Sequence, residues 1–111
     1  MSPAQRTLKE LRKLGCIYQV VERWNSFAHI RQDLFGFIDI VALRPEVGII
    51  GIQCTSRANH NARKEKILAS PLAKEWLLCG GKIEVWSWGK LKKTGWTLKT
   101  EEITIQDYAP L

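Results

Sequence analysis

Apolar and polar positions change period several times along this chain, and each change marks an element. Ala4, Leu8, Leu11 and Leu14 recur at helical spacing, with Arg6, Lys9, Arg12 and Lys13 largely on the flanks. Ser2 is suited to the N-cap, Pro3 to the first helical position and Gln5 to a capping box, while Gly15 supplies a stop. The pattern predicts a helix over 3–14. Residues 16–21 are β-rich and lead into Glu22-Arg23-Trp24, and 25–35 are polar and aperiodic, as in a loop. Two apolar runs follow, 36–43 and 47–55, joined by Arg44-Pro45-Glu46 as a hairpin turn. Ile38, Ile40 and Val41, then Ile49, Ile50 and Ile52, make both nearly continuous, which places them in the middle of a sheet.

Residues 56–61 form a polar connection into a second helical stretch. Ser70-Pro71 repeats the Ser2-Pro3 start signal, so the stretch divides into 61–69 and 71–79, with Leu68, Leu72 and Trp76 as its buried stripe. Gly80-Gly81 ends it. Residues 82–88 alternate cleanly, 89–94 make a lysine-bearing turn, and 95–105 give a last strand or pair. The order α–β–β–β–α–β–β describes an α/β domain in which helices pack on a mixed sheet. With 111 residues the chain is long enough for one core and is expected to be one domain.

Composition narrows the setting. No run approaches the roughly 20 apolar residues of a membrane span, and MSPAQRTLKE lacks the apolar region of a secretory signal, so a cytoplasmic location away from membranes is expected. Cys16, Cys54 and Cys79 form no CxxC pair, and His29 and His60 add no zinc-type spacing. Small buried thiols in a reducing compartment are the expectation. Seventeen Lys and Arg against eleven acids give +6, a balance that fits a polyanionic partner such as nucleic acid.

Within the apolar strands a few polar residues demand a reason, because a buried unpaired charge costs several kcal/mol in order of magnitude. Asp39 interrupts Phe37-Ile38-Asp39-Ile40-Val41, and Gln53 interrupts Gly51-Ile52-Gln53-Cys54-Thr55-Ser56. Alternation puts Gln53 and Thr55 on one face with Cys54 opposite. A hairpin centred on residue 45 sets Asp39 opposite Gly51, with Gln53 diagonal, and the glycine leaves room for a ligand or ion.

These residues resemble the PD-(D/E)xK nuclease superfamily, most closely its small Holliday-junction-resolvase and VRR-NUC-like members. The matching segments are Arg12-Lys13-Leu14-Gly15, Asp39-Ile40-Val41-Ala42-Leu43 and Gly51-Ile52-Gln53-Cys54-Thr55-Ser56, and the likeness covers residues 3–88, including the order of elements. It implies a restriction-endonuclease-like α-β-β-β-α-β core with an extra C-terminal strand. It also implies Mg²⁺- or Mn²⁺-dependent hydrolysis of DNA phosphodiesters. Asp39 takes the central metal-ligand position, and Gln53 takes the second acidic position, where its amide oxygen offers a neutral ligand. Thr55 stands where the family has lysine, and a hydroxyl does not replace an ammonium electrostatically.

The missing cation has candidates in Arg57, Lys64 and Lys66. Lys64 lies four residues before Leu68, so its stem follows the buried stripe toward the sheet, which favours it over Lys66. From the first helix, Glu10 is the charged candidate for the site and Gln5 sits nearer the family's position, with Glu22 and Asp33 as further options. Arg31, Arg57, His60 and Lys66 are expected to touch phosphate. A solvated surface role is the alternative for each of these side chains. Trp24, Trp86, Trp88 and Trp96 serve either base stacking or packing, and packing is the commoner use in a small domain. Three functions therefore stand: a nuclease, a nucleic-acid-binding module that keeps the fold without the reaction, and a homodimer or subunit whose site a partner chain completes.

Overall fold

A computed structural model describes residues 1–108 of the chain. Helix α1 (Pro3–Lys13) begins as its sequence dictates. Ser2 Oγ accepts from Gln5 N at 3.1 Å, and Gln5 Oε1 accepts from Ser2 N at 2.8 Å, closing the capping box. Strand β1 (Ile17–Val20) follows, then a short hairpin of β2 (Arg23–Asn25) and β3 (Ile30–Gln32). Next come β4 (Ile40–Arg44) and β5 (Gly48–Ser56), a 3₁₀ turn at Arg57–Asn59, and the helices α2 (His60–Leu68) and α3 (Pro71–Leu78). Strands β6 (Lys82–Leu91) and β7 (Gly95–Ile103) end the sheet, and a 3₁₀ turn at Ile105–Tyr108 follows. The single-domain expectation reached residue 111, and 109–111 lie outside the described residues.

The main sheet has five strands in the order β1-β4-β5-β6-β7, antiparallel except for the β5–β6 pair. Two helices cross over between β5 and β6, as a parallel pair requires. One face packs on α1 through Leu11 against Ile40, Ala42, Ile50, Ile52 and Trp86. The other packs on α2 and α3 through Ile67 and Ala73 against Ile38, Ile83, Val85 and Ile103. With both faces covered, β5 carries the near-continuous apolar run of a buried strand. Among the described residues no helix is long and apolar enough to cross a membrane.

Several expectations are corrected. Residues 25–35 are not wholly loop: β2 and β3 pair from Arg23↔Gln32 to Asn25↔Ile30. The β4–β5 hairpin turns on three residues, with Arg44 facing Gly48 and Val41 facing Gly51, so its centre is residue 46 rather than 45. Moving the centre by one residue moves every pairing by two, and Asp39 comes level with Gln53 instead of Gly51. Gly51 leaves no room for a ligand. A Cβ there would meet Ile38 Cδ1 at 2.8 Å, so the glycine admits a core side chain. Of the stripe expected at Leu68, Leu72 and Trp76, Leu68 and Trp76 pack against the core, but the chain restarts at Ser70 and Leu72 is exposed, while Ile67 and Ala73 are the fully buried positions. Of the three thiols, Cys79 is exposed and Cys16 and Cys54 are partly buried.

Candidate metal centre

Asp39 lies just before β4 and Gln53 lies on β5, side by side on the α2 face of the sheet, and both are buried. Asp39 Oδ2 accepts from Gln53 Nε2 at 2.6 Å and from the Cys54 backbone N–H at 2.8 Å. Gln53 Nε2 also reaches Asp33 Oδ2 at 3.5 Å. Thr55, one pleat further along β5, is buried on the same face.

Two more carboxylates join Asp39: Glu22, from the end of the first β-rich run, and Asp33, from the segment expected to be loop. Glu22 immediately precedes β2 and Asp33 immediately follows β3, so the two acids stand at the base of the small hairpin. Ligand oxygens of Glu22, Asp33 and Asp39 all lie within 4.8 Å of one another. Oxygens bound to one hard cation are separated by at most about twice the metal–oxygen distance, roughly 4–5 Å, so this spacing suits a single ion. Arg31 on β3 pairs with Glu22 at 3.4 Å and caps the cluster from the exposed side.

The electrostatics point the same way. Burial, then a hydrogen bond with Asp33, pushes the Asp39 carboxyl up to about 8, against the opposing pull of the Cys54 N–H. A carboxyl that keeps its proton this tightly marks a place short of positive charge. Gln53 Oε1 is buried with no hydrogen-bond partner among the described residues, an exception to the usual satisfaction of buried amides. An all-oxygen donor set with a spare amide oxygen beside it fits a hard cation.

The site opens on a groove of about 1640 Å³ that runs round the end of the sheet from α1 to α2. Its cationic lining comes from Arg23 and Arg31 on the hairpin and from Arg63 and Lys66 on α2. Asn59, Arg63 and Lys66 are spaced four and three residues apart, so one helical face presents all three.

The adjacent face of α2 carries His60, Lys64 and Ile67, and here two expected site residues prove structural. Lys64 does not reach the groove. Its Nζ donates to Glu101 Oε2 at 2.6 Å, which raises the Lys64 ammonium and, together with His60, holds Glu101 below the usual carboxylate range. His60 is not an exposed loop residue but is buried between Ser87 (2.6 Å from Nδ1) and Glu101 (2.8 Å from Nε2). Ser87, His60 and Glu101 stand in the order of a hydrolytic triad. Ser87 is fully buried, however, and its Oγ also accepts from Arg57 Nε at 3.2 Å. The set is a polar strut joining α2 to β6 and β7. Arg57 is held in it by a further bond from Nη2 to the Thr97 carbonyl at 2.9 Å and is not part of this groove's lining.

Glu10 is likewise absent from the groove lining, whereas Gln5 is present there with its side-chain oxygen committed to the capping box. Trp86 is buried in the α1-side core, and Trp88 Nε1 donates to the buried Thr7 hydroxyl at 3.0 Å. Trp24 and Trp96 are exposed, and Arg6 lies 3.8 Å over the Trp96 ring. Burial pushes the Cys54 thiol up to about 12, so it carries no thiolate chemistry. The sequence does hold a signal for the acids that were ranked behind Glu10. Glu22 and Asp33 bracket a segment whose Trp24 and Ile30 are the only large apolar residues on its two legs. The structure thus brings together Asp39, Gln53, Thr55, Arg31 and Lys66 of the expected residues, and leaves out Glu10, Arg57, His60 and Lys64. No family model, no curated protein and no solved structure matches this chain, so the reading of the site rests on its own geometry.

Proposed function

We propose that this protein is a metal-dependent nuclease of the restriction-endonuclease-like, PD-(D/E)xK kind, acting on DNA. The observation that carries the reading is the convergence of Glu22, Asp33 and Asp39 in a groove whose other charges are cationic. Acids that hold a cation beside bases that hold phosphate is the combination that phosphodiester hydrolysis needs. The element order supports it: a helix, three antiparallel strands, a helical crossover and a strand parallel to the third, with β7 as the extra C-terminal strand.

The chain's own residues divide the work. Glu22, Asp33 and Asp39 hold Mg²⁺ or Mn²⁺, and Gln53 fixes Asp39 through its amide. Such an ion, when bound, supplies Lewis-acid polarisation of the phosphate and eases deprotonation of the attacking water. Arg63 and Lys66 bind the non-bridging oxygens and offset the charge that develops on them, in place of the lysine that Thr55 replaces. The Thr55 hydroxyl contributes a hydrogen bond and no charge.

The test is incubation with branched, single-stranded and duplex DNA in Mg²⁺ or Mn²⁺, beside Asp39→Ala and a chelator control. Cleavage lost in both controls is expected, and cleavage that survives Asp39→Ala would refute the assignment. One observation favours a second reading, a binding module that retains the fold without the reaction: Gln53 and Thr55 remove both the second acid and the cation from β5. Salt-sensitive binding with no cleavage in either metal decides for that reading.

A further inference from the structure

The hairpin that carries Glu22 and Asp33 at its base displays an unusual tip. Phe27 is 97% exposed, and Trp24 and Ile30 on the two legs are about half exposed. The tip is nevertheless a built turn: Asn25 Oδ1 accepts from both Phe27 N at 3.0 Å and Ala28 N at 3.1 Å, and Trp24 packs edge-on to His29 with ring centroids 6.4 Å apart. A hollow of about 250 Å³ lies beside Phe27 and is lined also by Arg23 and Gln32, which line the main groove as well. An aromatic ring is therefore presented to solvent on a short stalk flanked by Arg23 and Arg31, continuous with the cationic groove.

We propose that the β2–β3 hairpin is a base-stacking finger, in which Phe27 takes up an unstacked base of a nucleic acid whose phosphate lies at the carboxylate cluster. The inference rests on the nuclease reading for the location of that phosphate and adds how the nucleic acid is held: an unpaired base, which continuous duplex does not offer, sits on Phe27. Charge complementarity selects the partner, because the hollow beside the apolar ring is lined by Arg23, which also lines the groove of Arg31, Arg63 and Lys66. The geometry also sets a spacing. Three residues per leg at about 3.3 Å each put Phe27 roughly 10 Å from the base of the hairpin, or about three base steps at 3.4 Å. The stacked base lies two to four nucleotides from the phosphate that is attacked.

The experiment reads stacking without cleavage. Flapped, nicked and continuous duplexes carrying 2-aminopurine at successive positions are titrated with the full chain in EDTA, using wild type, Phe27→Ala and Phe27→Trp. Expected are a change in 2-aminopurine emission confined to the unpaired positions at the junction, two to four nucleotides from the phosphate cut in Mg²⁺, and a roughly 5- to 150-fold weaker hold on flapped DNA for Phe27→Ala. Continuous duplex affinity stays unchanged, and Phe27→Trp restores the flap preference. Equal losses on flapped and continuous DNA, or no loss on either, overturn the proposal. It is overturned equally if Phe27→Ala converts a dimer to a monomer by sedimentation, or abolishes binding to anionic lipid vesicles while sparing DNA. Cleavage is scored separately on the wild type in Mg²⁺. Stacking without cleavage removes the nuclease reading and keeps the finger, while cleavage with a silent Phe27 does the reverse.

Discussion

Replacing Asp39 by asparagine is expected to stabilise the metal-free protein, and to do so only above mildly acidic pH. The folded carboxyl is raised to about 8 while the unfolded one titrates near 3.8, so the folded state binds the extra proton over this window. Stability from this group is complete below about pH 4, falls as pH rises toward 8, and changes no further beyond it. At about 1.4 kcal/mol per pH unit the loss by pH 7.5 is at most about 5 kcal/mol, and about 3 kcal/mol after relaxation of the site is a working figure. Asparagine is neutral throughout and matches the protonated acid: its oxygen accepts from Cys54 N–H and its amide donates to Asp33. For a domain of this size about 3 kcal/mol corresponds to roughly 12 °C in Tm. Thermal and urea melts in EDTA at pH 4, 6 and 8, followed by tryptophan fluorescence, give the comparison. Wild type and Asp39→Asn should coincide at pH 4 and diverge at pH 8. Millimolar Mg²⁺ should then lift the wild type alone, by about 3 kcal/mol if its concentration is 100 times Kd. A variant that is less stable at pH 8, or a difference that does not vary with pH, refutes the reasoning.

The strut on the other face of α2 has the opposite sign. Glu101 is held below its ordinary value by Lys64 and His60, so its contribution is present above about pH 4.5 and lost as pH falls through the lowered folded value. Glu101→Leu should cost about 2–4 kcal/mol at pH 7, with Glu101→Gln losing less because its oxygen still accepts from His60, and the gap should close in acid melts. Lys66→Ala and Arg63→Ala should each lower the salt slope of DNA binding by about one. Lys64→Ala should leave that slope unchanged and lower Tm instead, so titration at several salt concentrations separates the groups. Gly81→Ala should cost more than about 2 kcal/mol by denaturant melts, because its Cβ would collide with the Trp76 indole, whose Nε1 donates to the Lys82 carbonyl.

Elements bounded by local chemistry were legible in the sequence. The Ser2 and Ser70 caps mark where α1 and α3 begin, and the apolar runs place β4 and β5 at the sheet centre because nothing polar needs water there. What escaped depends on contacts between distant residues. Strands β2 and β3 have three residues each, too few for alternation to show, and they exist by pairing with each other. The register of β4 on β5 depends on where a three-residue turn falls, at 45–47 instead of Arg44-Pro45-Glu46, and only the pairing of the two strands fixes that. Helix α2 carries Arg63, Lys64 and Lys66 in close succession, so its period could not say which faces the groove, and only Glu101 from β7 decides that Lys64 does not. Asp39 and Gln53 were found because polar residues within buried strands stand out. Glu22 and Asp33 were only further options because exposed acids flanking a loop are common.

The hairpin between Glu22 and Asp33 has one further consequence, for how such a protein can change. The two acids occupy the last places before and after paired strands, so their separation is fixed at the root by the Arg23↔Gln32 pair and not by what lies beyond it. Residues 24–30 are in effect an exchangeable cassette, Arg31 being tied to Glu22. Lengthening the legs by a pair, or exchanging Phe27 for another side chain, alters what is reached while the spacing of the carboxylates stays the same. Selection on recognition and selection on chemistry can then proceed in neighbouring residues of one short segment with little interference between them.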